Sequence, residues 1–271
     1  FPSGAIDWIV SEEALMQPLR KVISKLKLRA SYGQVGNANL GGRRFAYLST
    51  ITDDYATLDM YKWGLDSSYG LTGMAEGEFA VQDLTWEIVN KMNLGVELGF
   101  LNGMIDLQLD YFDERRKDIF MPRESVPMTA GFMKQPWKNF GKVTNQGVEV
   151  TLNVNKQFGK DLFVSLMGTF TYAHNEITEK DEPSAVVGTN RAETGHPVGQ
   201  LTGYIAEGLF TADDFEDVST GKLKEGIPTQ SFVGKLRPGD IRYRDVNGDG
   251  KVDVFDKSPI GGTKDPEIVY G

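Results

Sequence analysis

Lys25-Leu26-Lys27-Leu28-Arg29-Ala30-Ser31-Tyr32 changes character at every residue, polar then apolar, four times over. A period of two marks a β-strand, whose successive side chains point to opposite faces. Leu26, Leu28, Ala30 and Tyr32 therefore share one face, and Lys25, Lys27, Arg29 and Ser31 the other. Three later stretches repeat the pattern. Leu94, Val96, Leu98 and Phe100 alternate with Asn93, Gly95, Glu97 and Gly99; Ile105, Leu107, Leu109 and Tyr111 with Asp106, Gln108 and Asp110; Val148, Val150, Leu152 and Val154 with Glu149, Thr151 and Asn153. Residues 162–172 carry a softer version, in which Leu162, Val164, Leu166, Phe170 and Tyr172 alternate with Phe163, Ser165, Met167, Thr169 and Thr171. Such strands fit two settings equally well: a soluble sheet with one face on a core, or a sheet with one face in lipid.

The connections separate the two. Leu101-Asn102-Gly103 and Phe158-Gly159-Lys160 are tight hairpin links, with glycine supplying the positive φ that such turns need. The first connection, through Ser11 to Pro18, falls on the same side as these turns, and the links on the other side are long: about fifty residues after Gln34, about twenty after Phe120 and about ninety after Asn175. Compact soluble domains seldom carry such loops, whereas membrane barrels join strands of roughly ten residues by short periplasmic turns and long external loops. Ser11 is expected to cap a brief helix with Glu12 and Glu13 in its first turn, stopped by Pro18. Further strands around Ile6 and from Ile268 bring the count to about seven, fewer than the eight of the smallest bacterial membrane barrels. The expected fold is therefore all-β, an antiparallel transmembrane β-barrel present as a fragment. Residues 1–271 read as part of one barrel domain, and 177–266 as a long extracellular loop region within it.

Composition narrows the function. No stretch reaches the eighteen or so uncharged apolar residues that a membrane helix requires. A net charge of -9 without a basic cluster disfavours nucleic acid. Zero cysteines remove disulfides and thiolate metal sites. The chain opens at Phe1 with neither an initiator Met nor a signal peptide and stops at Gly271 inside an incipient strand, so it reads as a fragment.

Several motifs, in order, carry a family resemblance. They are Trp8-Ile9-Val10-Ser11-Glu12-Glu13, Leu26 to Gly33 with Gly36-Asn37, Thr85-Trp86-Glu87 leading to Asn93-Leu94-Gly95, Asp110-Tyr111-Phe112, and Asn139-Phe140-Gly141 with Gly147-Val148-Glu149. Gly195-His196-Pro197-Val198-Gly199, Gly203-Tyr204-Ile205, Pro238 to Tyr243 and Ile260-Gly261 follow. The series resembles the SusC/RagA family of TonB-dependent outer-membrane transporters. The resemblance implies a barrel of roughly twenty-two strands with a plugged lumen, in the outer membrane of a Gram-negative bacterium and in contact with membrane lipid. It further implies uptake of an oligosaccharide or peptide, a SusD-like lipoprotein partner, and energy from the TonB-ExbB-ExbD complex through a plug and TonB box upstream of Phe1. A soluble, secreted β-rich calcium-binding adhesion or carbohydrate-binding module is the rival reading, and it requires the alternating strands to pack as a sandwich.

One loop has metal-ligand spacing. From Asp245 to Asp256, oxygen donors stand at positions 1, 3, 5, 9 and 12 (Asp245, Asn247, Asp249, Asp253, Asp256), with Gly250 at 6 and the Lys251 backbone carbonyl at 7. That spacing suits Ca2+ and resembles a dockerin-type loop, on the external side by strand counting. An acidic turn held by its own Asx hydrogen bonds without any ion is the plainer reading.

Catalytic patterns do not emerge: His174 and His196 are the sole imidazoles, and no cysteine can pair with them. Asp213-Asp214, and Asp106 with Asp110, read as loop and lumen acids rather than a glycosidase pair. Trp8, Trp86, Tyr111, Phe112 and Tyr172 are expected near strand ends as an aromatic girdle. Phe132, Trp137 and Phe140 are expected in or beside an external loop, where packing within the loop is the plainer reading and stacking on a sugar ring the alternative.

Overall fold

The alternating stretches form seven strands: β1 Ser3–Ile9, β2 Ile23–Asn37, β3 Glu87–Phe100, β4 Ile105–Pro122, β5 Trp137–Phe158, β6 Leu162–Glu179 and β7 Ile268–Tyr270. Each pairs antiparallel with its neighbours in that order, giving one meandering sheet. The computed structural model describes residues 1–52, 61–63, 69–71, 74–132 and 134–271. They divide into two compact units, Phe1–Pro183 with Glu267–Gly271, and Ser184–Pro266.

In the first unit the hairpins sit where glycine and asparagine permit them. Leu101, Asn102 and Gly103 all take positive φ, and Gly159 does so in the second turn, the conformation that a short antiparallel link demands. The strands run well past the two-faced stretches: β4 is 18 residues long and β5 22. Asp113 to Lys117 are polar on both faces, so the alternation fades where both faces meet water, yet the backbone ladder continues. The expected cap at Ser11 is corrected. Ser11 lies inside a 3-10 turn, Val10–Glu12, whose cap residue is Ile9. The Ser11 carbonyl accepts from Arg20 Nε at 2.8 Å. Pro18 does not stop the chain ahead of the second turn but lies within it, Ala14–Leu19, one residue before its end.

The second unit is built differently. Its strands are two to six residues long and pair two by two: Gln200–Gly203 with Ser258–Thr263, Ala206–Leu209 with Ile241–Tyr243, and Phe215–Asp217 with Lys222–Leu223. Thr229–Gln230 and Lys251–Val252 run parallel. Phe210, Phe215 and Leu236 form a small core, against which Leu223, Ile227 and Val233 pack.

Candidate functional site

Register decides what the sheet can do. Trp8, Leu28, Val96, Leu109, Val150, Phe170 and Tyr270 fall in one transverse row across the seven strands. Ile6, Ala30, Leu94, Tyr111, Val148, Tyr172 and Ile268 form the next, and Leu26, Leu98, Leu107 and Leu152 another. A one-residue slip would send every one of these side chains to the other face. They form a continuous apolar band. Leu94 is 46% exposed and Leu166 64%, and among the described residues no second sheet covers them. The sandwich that the soluble reading required is therefore not met. Large side chains exposed in such numbers exceed the apolar patches that water-soluble monomers carry. Beyond the Tyr111–Val148–Tyr172 row the same face turns polar at Asp113, Gln146 and His174. On β6 the band spans Leu162 to Tyr172, eleven residues by position, which at a barrel tilt rises roughly 25 Å, the height of an outer-membrane apolar belt.

Tyr111 and Tyr172 thus sit at the band's edge even though their strands continue. Phe112 is corrected: paired with Asn93 and Gly147, it faces the polar side. A Cβ on Gly147 would lie 2.6 Å from the Phe112 ring, so the ring occupies the space that the glycine leaves. Trp8 donates from its indole to Glu13 at 3.1 Å, and Trp86 packs on Phe1 with ring centroids 5.6 Å apart.

The polar face carries a balanced ladder of charge. Lys27 pairs with Asp7 (3.4 Å), Lys25 with Glu97 (2.6 Å), and Arg29 with both Glu97 (3.2 Å) and Asp110 (2.7 Å). Gln108 adds a hydrogen bond to Asp110 at 2.8 Å. Arg29 on β2 reaches Asp110 on β4 across the whole width of β3, and the residue opposite both is Gly95. A Cβ there would meet Asp110 Oδ1 at 2.6 Å and the Arg29 guanidinium at 2.9 Å. Glycine inside a strand often marks such a close approach. Asp110 is thereby committed to an ion pair, which leaves no free carboxylate pair with Asp106.

At the long-loop end of the strands, Asp181 clasps the β4–β5 loop. It pairs with Arg123 at 3.0 Å and accepts from the Ser125 amide (3.1 Å) and hydroxyl (2.9 Å). Burial pushes the Asp181 carboxyl up, but the Arg123 guanidinium and the Ser125 donors outweigh it and hold the group below its ordinary 3.8. Phe132 packs edge-on to Phe79, Trp137 against Phe120 with Arg43 over its ring, and Phe140 beneath Arg123. His174 contacts Glu267 at 2.7 Å where β7 joins β6.

In the second unit, the Asp245–Asp256 loop is closed by its own backbone amides. Asp245 accepts from Gly248 and Gly250, Asn247 from Asp249, and Asp249 from Lys251. Asp253 accepts from Phe255. Asp256, with no exposed surface, accepts from Val246 and Asn247 on one oxygen and from Asp253 on the other. The residue that would close a cation loop thus already accepts from three N–H donors. Among the described residues no group of three or more His, Asp or Glu side chains is gathered as a metal ion requires. Asp214 caps Thr211 and lies 3.8 Å from Arg242, separate from any acid–base pair with Asp213.

A meander whose one face is greasy and bare and whose other is charged and paired is a section of the wall of a transmembrane β-barrel. The chain belongs to the TonB dependent receptor-like β-barrel family, an outer-membrane family whose profile matches residues 1–259. It is 30% identical to the TonB-dependent receptor SusC of Bacteroides thetaiotaomicron over 271 residues, 95% of this chain and 24% of that protein. It is 25% identical to TonB-dependent receptor P3 of Formosa agariphila over 272 residues, 96% of this chain and 25% of that one. The fold is that of a RagAB peptide transporter structure, with a TM-score of 0.66 at 20% identity over 99% of this chain and 26% of that one. The chain spans about a quarter of the length of these relatives.

Proposed function

We propose that this chain forms part of the wall of a nutrient importer in a Gram-negative outer membrane. The importer takes up a glycan or a peptide with energy from the TonB-ExbB-ExbD complex and a SusD-like lipoprotein as its surface partner. The observation that carries the reading is the seven-stranded register, which puts every large apolar side chain of the band on one face and the charge ladder on the other. Lipid would wet the first face and water the second. The likeness to the TonB-dependent receptor SusC supports energy supply through TonB, and the fold shared with a RagAB peptide transporter supports peptide as one of the two cargo classes. In the same reading residues 1–271 belong to one barrel domain, and 177–266 lie outside the cell.

The test is uptake of labelled oligosaccharides and labelled peptides by cells that carry or lack the intact gene, with the TonB complex active or disabled. Loss of uptake in both the gene deletion and the TonB-disabled strain supports the proposal. Unchanged uptake of every cargo in the deletion strain rejects it. Co-purification of a SusD-like lipoprotein tests the partner separately.

Calcium at Asp245, Asn247, Asp249, Lys251, Asp253 and Asp256 stays within the proposal on donor spacing alone. The amide bonds to those same oxygens support the ion-free turn. Heat on titrating the intact protein with calcium, lost in Asp249→Ala, would favour the ion; no heat would favour the turn.

A further inference from the structure

The Gly195-His196-Pro197-Val198-Gly199 motif has no part in the sheet, and in the second unit it forms one wall of a cleft of about 380 Å³. Val254, Lys257 and Pro259 line it from a second segment. Both walls are fixed. Gly195 and Gly199 take positive φ (86° and 75°), which lets the chain turn on either side of the rigid His196-Pro197 step. Gln200 donates from its side-chain amide to Gly261 O at 3.0 Å, and Gln200–Gly203 pairs with Ser258–Thr263. Asn190 ties the walls together by donating to Phe255 O (3.0 Å) and Lys257 O (2.8 Å). Walls tied together in this way are pre-organised, which lowers the entropic cost of binding.

Its chemistry is cationic within an acidic chain. Arg191, Lys257 and His196 line it, against the single carboxylate of Glu193. The two permanent cations are held by stacking: the Arg191 guanidinium lies 4.8 Å from the Phe255 ring centroid and the Lys257 ammonium 5.7 Å from that of Tyr204. Aromatic faces position a cation without neutralising it, so its positive charge still attracts an anion. The remaining lining mixes aliphatic surface with the Thr202 hydroxyl. The volume is at the small end of ligand sites, enough for one sugar ring or two small amino-acid residues.

We propose that this cleft binds the carboxylate of a small amphipathic ligand, with Arg191 and Lys257 holding the charge. The proposal deepens the importer reading by naming a chemical group of the cargo, and it rests on that reading for biological meaning. Its test is independent of transport. A carboxylate can come from an acidic sugar or from a peptide C-terminus, so the two probes are galacturonate and alanyl-alanine, with galactose and alanyl-alanine amide as uncharged-terminus controls.

Binding is measured by saturation-transfer NMR and calorimetry on the intact protein in detergent. At least one acid should bind at millimolar concentration or better, while its control should not. Arg191→Gln and Lys257→Gln should each weaken binding by about tenfold, the loss expected for one charge-assisted hydrogen bond. Galacturonate alone identifies a glycan source, the dipeptide alone a peptide source, and both a general carboxylate site. If neither acid binds, or if both variants bind as well as the parent, the proposal is overturned. Should Arg191→Gln disturb the packing of Phe255, Lys257→Gln still decides, and Lys257→Arg should restore affinity. Absent binding with intact cargo uptake defeats this proposal alone; binding without uptake defeats the importer reading alone.

Discussion

The sheet of the first unit and the inserted second unit are ordered by opposite means. In the sheet, position follows from a repeating ladder, and a side chain's fate is set by whether its number is odd or even along the strand. In Ser184–Pro266, pairs of two- to six-residue strands are held by single polar side chains at unique places. Asp256 gathers three amides, and buried Gln230 both donates to Ile241 O and accepts from Tyr243 N. The difference teaches that the sheet should tolerate single substitutions that respect its faces and spare its close-packed glycines, whereas the second unit should fail at a few irreplaceable points.

That contrast can be broken most sharply at Asp256. Replacing it by Ala empties a fully buried acceptor site and leaves the part-buried N–H donors of Val246, Asn247 and Asp253 without their partner, which should destabilise the second unit by about 3–5 kcal/mol, read as rapid amide exchange confined to residues 184–266. Next comes the apolar band. Leu109→Arg should cost about 2–4 kcal/mol in unfolding from lipid vesicles, whereas Gln108→Arg, one residue away on the other face, should cost little. Gly95→Val is a smaller test, with an expected loss of about 1–3 kcal/mol, because its side chain must displace the Arg29–Asp110 pair. The same denaturant titration with Asp110→Asn as background should show the two effects to be non-additive.

The weakest effect concerns acid. Since the Asp181 carboxyl titrates below its unfolded value near 3.8, its stabilising contribution is complete above that pH and is lost as pH falls through the folded value. Protection of the Arg123–Ser125 loop amides should decline over that acid range in the parent, and Asp181→Asn should remove the dependence.

Much of the sheet could be read from residue numbers alone, because one face in lipid enforces parity. The tight turns, the strand count and the apolar rows all follow from it. Parity also held a signal that was missed. Tyr111 and Phe112 are adjacent and cannot both join an outward girdle, and the register puts Phe112 over Gly147. Strand ends were less legible, since past Tyr111 both faces are polar and the ladder alone carries β4 on to Pro122. Gly95 offered a hint, a glycine at a polar-face position, but its partners stand 66 residues before and 15 after it in sequence, at Arg29 and Asp110. The Asp245–Asp256 spacing was plain, yet spacing does not say whether an oxygen faces an ion or an amide. The cleft beside His196 was out of reach, because its walls come from segments about sixty residues apart whose meeting depends on Asn190.

The central claim is that the sheet's two faces meet different solvents, and spin labels on single cysteines test it most directly. This chain contributes no cysteine to compete with the label. Labels placed in turn at Gln108, Leu109, Asp110 and Tyr111, and at Val150, Thr151 and Leu152, are read in the intact protein in lipid. Relaxation is measured with oxygen, which concentrates in the bilayer, and with a water-soluble nickel complex. Leu109, Tyr111, Val150 and Leu152 should respond to oxygen and the others to nickel, alternating residue by residue. Nickel access at Leu109 and Val150 equal to that at Gln108 and Thr151, or oxygen access at none, would contradict the account.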